Sequence, residues 1–132
     1  MDDRSTQLET AALIAFVATT DLVRAREFYV ETLGLQFVSE DDFSVQVRSN
    51  GVLIRITPVP DHTPAGFTVL GWSVGDIGAV LAGMRAGGVE AIRYPWFEQS
   101  GDGVWTAPSG DQVAWFADPD GNILSLTQAV RS

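Results

Sequence analysis

The 132-residue chain contains no cysteine. Disulfide frameworks, thiolate nucleophiles and cysteine-based metal sites are therefore excluded. It has a single histidine, His62, so no paired-histidine metal motif can form. No apolar run approaches the roughly 18 residues of a membrane span, and no membrane partner is expected. Cations are scarce: 8 Lys and Arg stand against 17 Asp and Glu, a net charge of −9. A phosphate backbone would be repelled, so no nucleic acid partner is expected either. Nucleophile elbows and phosphate-cradling glycine loops are absent. Gly101-Asp102-Gly103 is too short to mean more than a turn. The acidic start, Met1-Asp2-Asp3-Arg4, lacks the apolar stretch of a signal peptide, and a cytoplasmic location is expected.

What is present is a sizeable apolar fraction, 45% of residues, enough for one domain with a real core. Two segments read as capped helices. Asp21 precedes Leu22, Ala25, Tyr29 and Leu33 on one helical face, and Gly34 is the stop. Asp76 precedes Ile77, Val80, Leu81 and Met84, with Gly87-Gly88 as the stop. An apolar stretch lies before each cap, Leu13 to Thr19 and Phe67 to Val74, and after each stop, Leu35 to Val38 and Val89 to Ile92.

A hairpin signal follows in both halves. Ser49-Asn50-Gly51 lies between the strand patterns Phe43 to Arg48 and Val52 to Thr57. Asp118-Pro119-Asp120-Gly121-Asn122 joins the aromatic run ending in Trp115-Phe116-Ala117 to Ile123-Leu124-Ser125-Leu126. Here Pro presets the turn, Gly supplies positive φ, and the Asp and Asn side chains bond the local backbone. The chain thus reads β-α-β-β-β twice, an α+β pattern. From cap to hairpin glycine the first module spans 30 residues and the second 45. The extra length falls in Pro95 to Asp111, a long loop of the kind that is usually functional or mobile.

This doubled module, with Asp21-Leu22, Phe28-Tyr29 and Leu33-Gly34-Leu35 in the first helix region and the Asp-Pro-Asp-Gly-Asn hairpin near the end, resembles the vicinal oxygen chelate superfamily. That superfamily holds glyoxalase I, extradiol dioxygenases and bleomycin-resistance proteins. The resemblance runs from about residue 10 to 129. It implies a mixed sheet curled around a ligand cavity, with helices on the convex side. The expected layout is a flexible start over 1–10 and a single domain over 11–132. Module one takes 11–58, a linker 59–65, and module two 66–129. A homodimer is expected, because members commonly dimerise and open sheet edges need covering.

The resemblance also implies four metal-ligand positions, two about seven residues before the helix caps and two four residues after the hairpin glycines. In this chain they fall on Ile14, Val69, Arg55 and Ser125. The usual occupants are His, Glu or Gln. Ile14 and Val69 cannot coordinate, Arg55 repels a cation, and the neutral hydroxyl of Ser125 is a poor ligand. A register slip of one residue brings in no His or carboxylate. No metal and no cofactor are therefore expected.

Strand alternation places Ile14, Phe16, Ala18, Phe67, Val69, Gly71, Ser73, Val113, Trp115, Ile123, Ser125 and Thr127 toward the cavity, and sends Trp72, Phe116, Leu124 and Leu126 to the core. Arg55, which shares a face with Leu53 and Thr57, is either an exposed strand arginine or a cation poised for a ligand carboxylate, enolate or phenolate. Trp96, Phe97 and Trp105 either stack on a planar ligand, pin their loop, or make a dimer contact. Glu98 and Asp102 beside them are solvated, or draw a cationic compound. His62 is a solvent-facing linker residue or a lid over the cavity.

The ligand-binding candidates are Ile14, Phe16, Arg55, Val69, Trp96, Trp105, Trp115 and Ser125. The expected function is metal-free binding of an aromatic or amphipathic small molecule in the sheet cavity. The alternatives are a glyoxalase-like lyase, isomerase or dioxygenase with a displaced metal site or metal-free acid–base chemistry, and an interaction domain whose cavity is filled.

Overall fold

In the computed structural model, residues 7–130 are described. The flexible start expected over 1–10 lies outside the described residues as far as residue 6. From there Leu8–Thr10 forms one exposed 3₁₀ turn. The chain divides between His62 and Thr63 into two compact units, each carrying one module and one four-stranded mixed sheet. No helix among the described residues is long and apolar enough to cross a membrane.

The first unit runs β1 (Ile14–Thr19), α1 (Leu22–Arg26), β2 (Gln36–Glu40), β3 (Val45–Ser49) and β4 (Val52–Pro58). Its sheet order is β1-β4-β3-β2, with β1 parallel to β4 and the other pairs antiparallel. Asp21 caps α1 by accepting from the Arg24 N–H at 3.1 Å. After Arg26 the helix widens into a π-turn over Glu27–Thr32, closed by Leu33 N–H to the Phe28 carbonyl. The wider turn lets two consecutive aromatics, Phe28 and Tyr29, both be buried, packed edge to face at 5.2 Å. They join Ala25, Val17, Val45, Val47, Ile54 and Ile56 in the core. The Asn50-Gly51 turn has φ of 45° and 83°, both positive as a two-residue hairpin with this twist requires.

The second unit runs β5 (Thr68–Ser73), α2 (Ile77–Ala86), β6 (Trp105–Thr106), β7 (Gln112–Ala117) and β8 (Ile123–Gln128), in the order β5-β8-β7-β6. Asp76 caps α2 through the Ala79 N–H, and Gln128 on β8 accepts from the Ile77 N–H at 2.8 Å. Two of the four free donors at this helix start are thereby satisfied, one of them by the sheet beneath. The core holds Ile77, Leu81, Met84, Val104, Ala114, Phe116, Leu124 and Leu126. Trp72 stacks on Phe116 at 6.3 Å, on the core side as the alternation predicts.

One strand lies elsewhere than expected. Val89 to Ile92 forms no strand; it gives β7 a single backbone bond, Ile92 N–H to the Trp115 carbonyl at 2.7 Å. The place beside β7 is taken by β6, which pairs Trp105 with Val113 and Thr106 with Gln112. Pro95 helps explain this, since it lacks a donor and restricts Tyr94 before it. The chain leaves the sheet edge there and returns ten residues later.

Candidate functional site

The period-two alternation of each sheet buries one face and leaves the other open. In the first unit the open face carries Ile14, Phe16 and Ala18 from β1, Leu53, Arg55 and Thr57 from β4, and Gln46 and Arg48 from β3. Ile14 is 41% and Phe16 62% exposed. Arg55 is half-buried. It sits opposite Phe16 on one side and Gln46 on the other, and its guanidinium lies over the Phe16 ring at 5.6 Å.

In the second unit the open face is centred on a row running from Gly71 through Ser125 to Trp115. A Cβ on Gly71 would stand 2.7 Å from the Ser125 hydroxyl oxygen, so the serine packs against bare backbone. Val69 lies on the same face at a bulge in β5 and is 39% exposed. Trp115 is roofed by the inserted loop. Phe97 stacks on it at 5.1 Å with the ring planes nearly parallel, and Tyr94 meets it edge-on at 5.3 Å. Trp105 packs on Phe97 at 4.5 Å, and Trp96 stacks on Tyr94 at 5.0 Å. The aromatics thus pin the loop to the sheet, while Trp96 remains 70% exposed.

Polar bonds hold the same loop. The Gln99 amide accepts from the Tyr94 N–H and donates to the Ile92 and Gly103 carbonyls. Arg93 donates to the Ser100 and Gly101 carbonyls. A hydrogen bond from the Ser100 hydroxyl holds the Asp102 carboxyl below its usual range, against partial desolvation and with help from its own backbone, Arg85 and Arg93. Beside the loop an open cleft of about 430 Å³ is lined by Glu98, Gln99, Ser100, Val104, Trp105 and Thr106. His62, in the linker, is partly exposed, and its N–H donates to the Val59 carbonyl.

Tyr94 and Gln99 were not among the sequence candidates. An aromatic directly before Pro95 was the one available signal for Tyr94; nothing local marked Gln99, whose role depends on where the loop returns. Gln46 and Arg48 were missed as well, although the alternation that places Arg55 also places them.

The comparisons agree with this architecture. The profile of the Glyoxalase/Bleomycin resistance protein/Dioxygenase superfamily matches residues 10–126. The chain belongs to this superfamily. Among solved structures, a glyoxalase family protein from Bacillus anthracis is similar at a TM-score of 0.72 and 18% identity, covering 92% of this chain and 96% of that one. TnmS3, an antibiotic binding protein from Streptomyces sp. CB03234, is similar at 0.69 and 22% identity, covering 94% and 99%. A lactoylglutathione lyase from Agrobacterium tumefaciens is similar at 0.70 and 14% identity, covering 92% and 96%. At these identities the likeness shows the fold. No curated protein matches the sequence significantly.

The superfamily's metal can be tested against the side chains at its four positions. Ile14 and Arg55 share the open face of the first sheet, and Val69 and Ser125 that of the second. Two hydrocarbons, a permanent cation and one neutral hydroxyl do not suit a divalent ion. Among the described residues no three of His, Asp or Glu gather in a way that would hold one. The donor set does not fit the group.

Proposed function

We propose that this member of the superfamily is a metal-free small-molecule-binding protein that takes an aromatic or amphipathic compound on an open sheet face. The observation that carries the reading is the exchange at the four metal positions. Where donors are usual, the chain has Ile14, Val69, Arg55 and Ser125, on faces whose large apolar side chains are left exposed. Apolar surface with a few fixed polar groups is the usual make-up of a small-molecule site. Phe16 extends the exposed surface on the first sheet and Trp96 does so beside the second, where Trp105 and Trp115, packed against Phe97, stay partly exposed. That an antibiotic binding protein shares the fold supports the ligand class.

The test is a thermal-shift screen of aromatic antibiotics and aromatic metabolites. A ligand present at about 100 times its Kd is expected to add roughly 2.7 kcal/mol of stability. A screen in which no such compound shifts the melting temperature would count against binding as the function.

We also propose that the protein is a homodimer. Each four-stranded sheet ends in edge strands, β1 and β2 in the first and β5 and β6 in the second, and open edges invite pairing with another chain. Light scattering at micromolar concentration is expected to give twice the chain mass of 14.2 kDa. A monomer mass would contradict the proposal.

A further inference from the structure

All eight cations of the chain are arginines, and six of them lie among the described residues. Four of the six have an oxygen partner. Arg24 donates to the Thr20 hydroxyl, Arg26 pairs with Glu40, Arg85 faces Glu90, and Arg93 donates to two carbonyls. Arg48 and Arg55 have neither an ion pair nor a hydrogen bond among the described residues; Arg55 has only the Phe16 ring. Both stand on the open face of the first sheet, on the neighbouring antiparallel strands β3 and β4.

The register fixes their relation. Arg55 is opposite Gln46, and Arg48 is opposite Leu53, so the two arginines are diagonal neighbours about 7–8 Å apart, their Cβ atoms somewhat closer. Two guanidinium groups at that spacing reach a single oxyanion between them, and at the third corner stands the Gln46 amide, whose oxygen accepts from the Ser39 hydroxyl and whose nitrogen donates one N–H to the Ser44 hydroxyl and has a second left for a ligand. The fourth corner is Leu53, with Ile14 beyond it and Phe16 beyond Arg55 on β1. No carboxylate from these strands joins them. Glu40 is opposite Val45, on the buried-face side of β3, and pairs with Arg26 of the helix. The Asp41 carboxylate, in the turn between β2 and β3, accepts from the Phe43 and Ser44 N–H groups.

A chain with a net charge of −9 thus gathers the two uncommitted cations of its described residues beside an aromatic ring. We infer that the ligand of this face is an amphipathic anion: an oxyanion, carboxylate above all, held between Arg48 and Arg55 with Gln46 donating, and joined to a flat apolar body lying on Phe16, Ile14 and Leu53. The inference rests on the binding reading above and narrows its ligand class. Arginine suits the task, because its planar fork matches a carboxylate and it remains charged at every working pH.

The experiment uses two fluorescent probes with one aromatic body, anilinonaphthalenesulfonate and its uncharged parent anilinonaphthalene. Wild type, Arg48→Gln, Arg55→Gln and the double variant are titrated with each, and thermal melts check folding. The sulfonate is expected to bind wild type more tightly than the neutral parent despite the protein's negative charge. Each single substitution should weaken sulfonate binding about tenfold, the effect of losing one charge-assisted hydrogen bond, and leave the neutral probe within about twofold. Raised salt should weaken only the sulfonate. Equal affinity for the two probes, or arginine variants that lose both alike while still folded, would overturn the inference and leave small-molecule binding standing. Failure of wild type to bind either probe would overturn the binding reading, and the inference with it.

Discussion

Phe116→Ala is expected to cost about 4 kcal/mol of stability, the range for truncating a buried aromatic. Phe116 is 1% exposed and stacks on Trp72 in the second unit's core. It lies on β7 between two open-face residues, Trp115 and Ala117, so the backbone alternation places it in the core beneath the sheet and Trp115 under the loop on the other face. Domains of this size are stable by only about 5–15 kcal/mol, so the variant should be partly unfolded at moderate urea. Phe116→Leu should recover more than half of the loss. Urea melts followed by far-ultraviolet circular dichroism would measure both. A cost near zero for Phe116→Ala would mean that the two faces of the sheet have been assigned the wrong way round.

Asp118→Ala is expected to cost about 3 kcal/mol. Asp118 is 5% exposed, and Asn122 2%. One carboxylate oxygen accepts from the Asp120 and Asn122 N–H groups at 3.0 and 2.9 Å, and the other accepts from the Asn122 side-chain amide at 2.8 Å. Removing it leaves three donors without this partner, at about 1–3 kcal/mol for each one that stays dry. The turn also uses Gly121 at a φ of 87°, where an added Cβ would stand 3.1 Å from Pro64. Asp118→Asn keeps an acceptor for the two backbone groups but faces the Asn122 amide with a second donor, and should cost less than the alanine variant. An alanine variant as stable as wild type would show that the carboxylate is dispensable to the hairpin. The same melts would decide it.

The elements fixed by local chemistry were readable in advance. Asp21 and Asp76 are helix caps because a short acceptor side chain preceded an apolar period, and both glycine-containing hairpins form where the turn residues demand them. The faces of β1, β7 and β8 followed from alternation. What was not readable depended on distant partners. Val89 to Ile92 has the composition of a strand, but it meets β7 only through Ile92 beside Trp115, and the ladder along the start of β7 is made by Trp105 and Thr106, which return from the loop after Pro95. The π-turn over Glu27–Thr32 arises from burying adjacent aromatics against a sheet formed later in the chain.

The candidate site divides in the same way. Arg55 was marked by its position relative to the hairpin glycine. Its diagonal neighbour Arg48 was readable from the same alternation and the Asn50-Gly51 hairpin but was passed over, because no motif position marks it. The loop aromatics were noticed, but a sequence cannot say whether such rings await a ligand or stack on one another. Here Phe97 and Tyr94 close on Trp115, which leaves Trp96 as the most exposed ring of the cluster.

Calorimetric titration of a compound found in the thermal-shift screen, run once in a chelator and once with added zinc, nickel, manganese or iron(II), tests the central claim most directly. The account predicts the same Kd and stoichiometry in every buffer, because Ile14, Val69, Arg55 and Ser125 offer a divalent ion no adequate donor set. Binding that disappears in chelator, returns with one metal ion per chain, and is abolished by Ser125→Ala would contradict it.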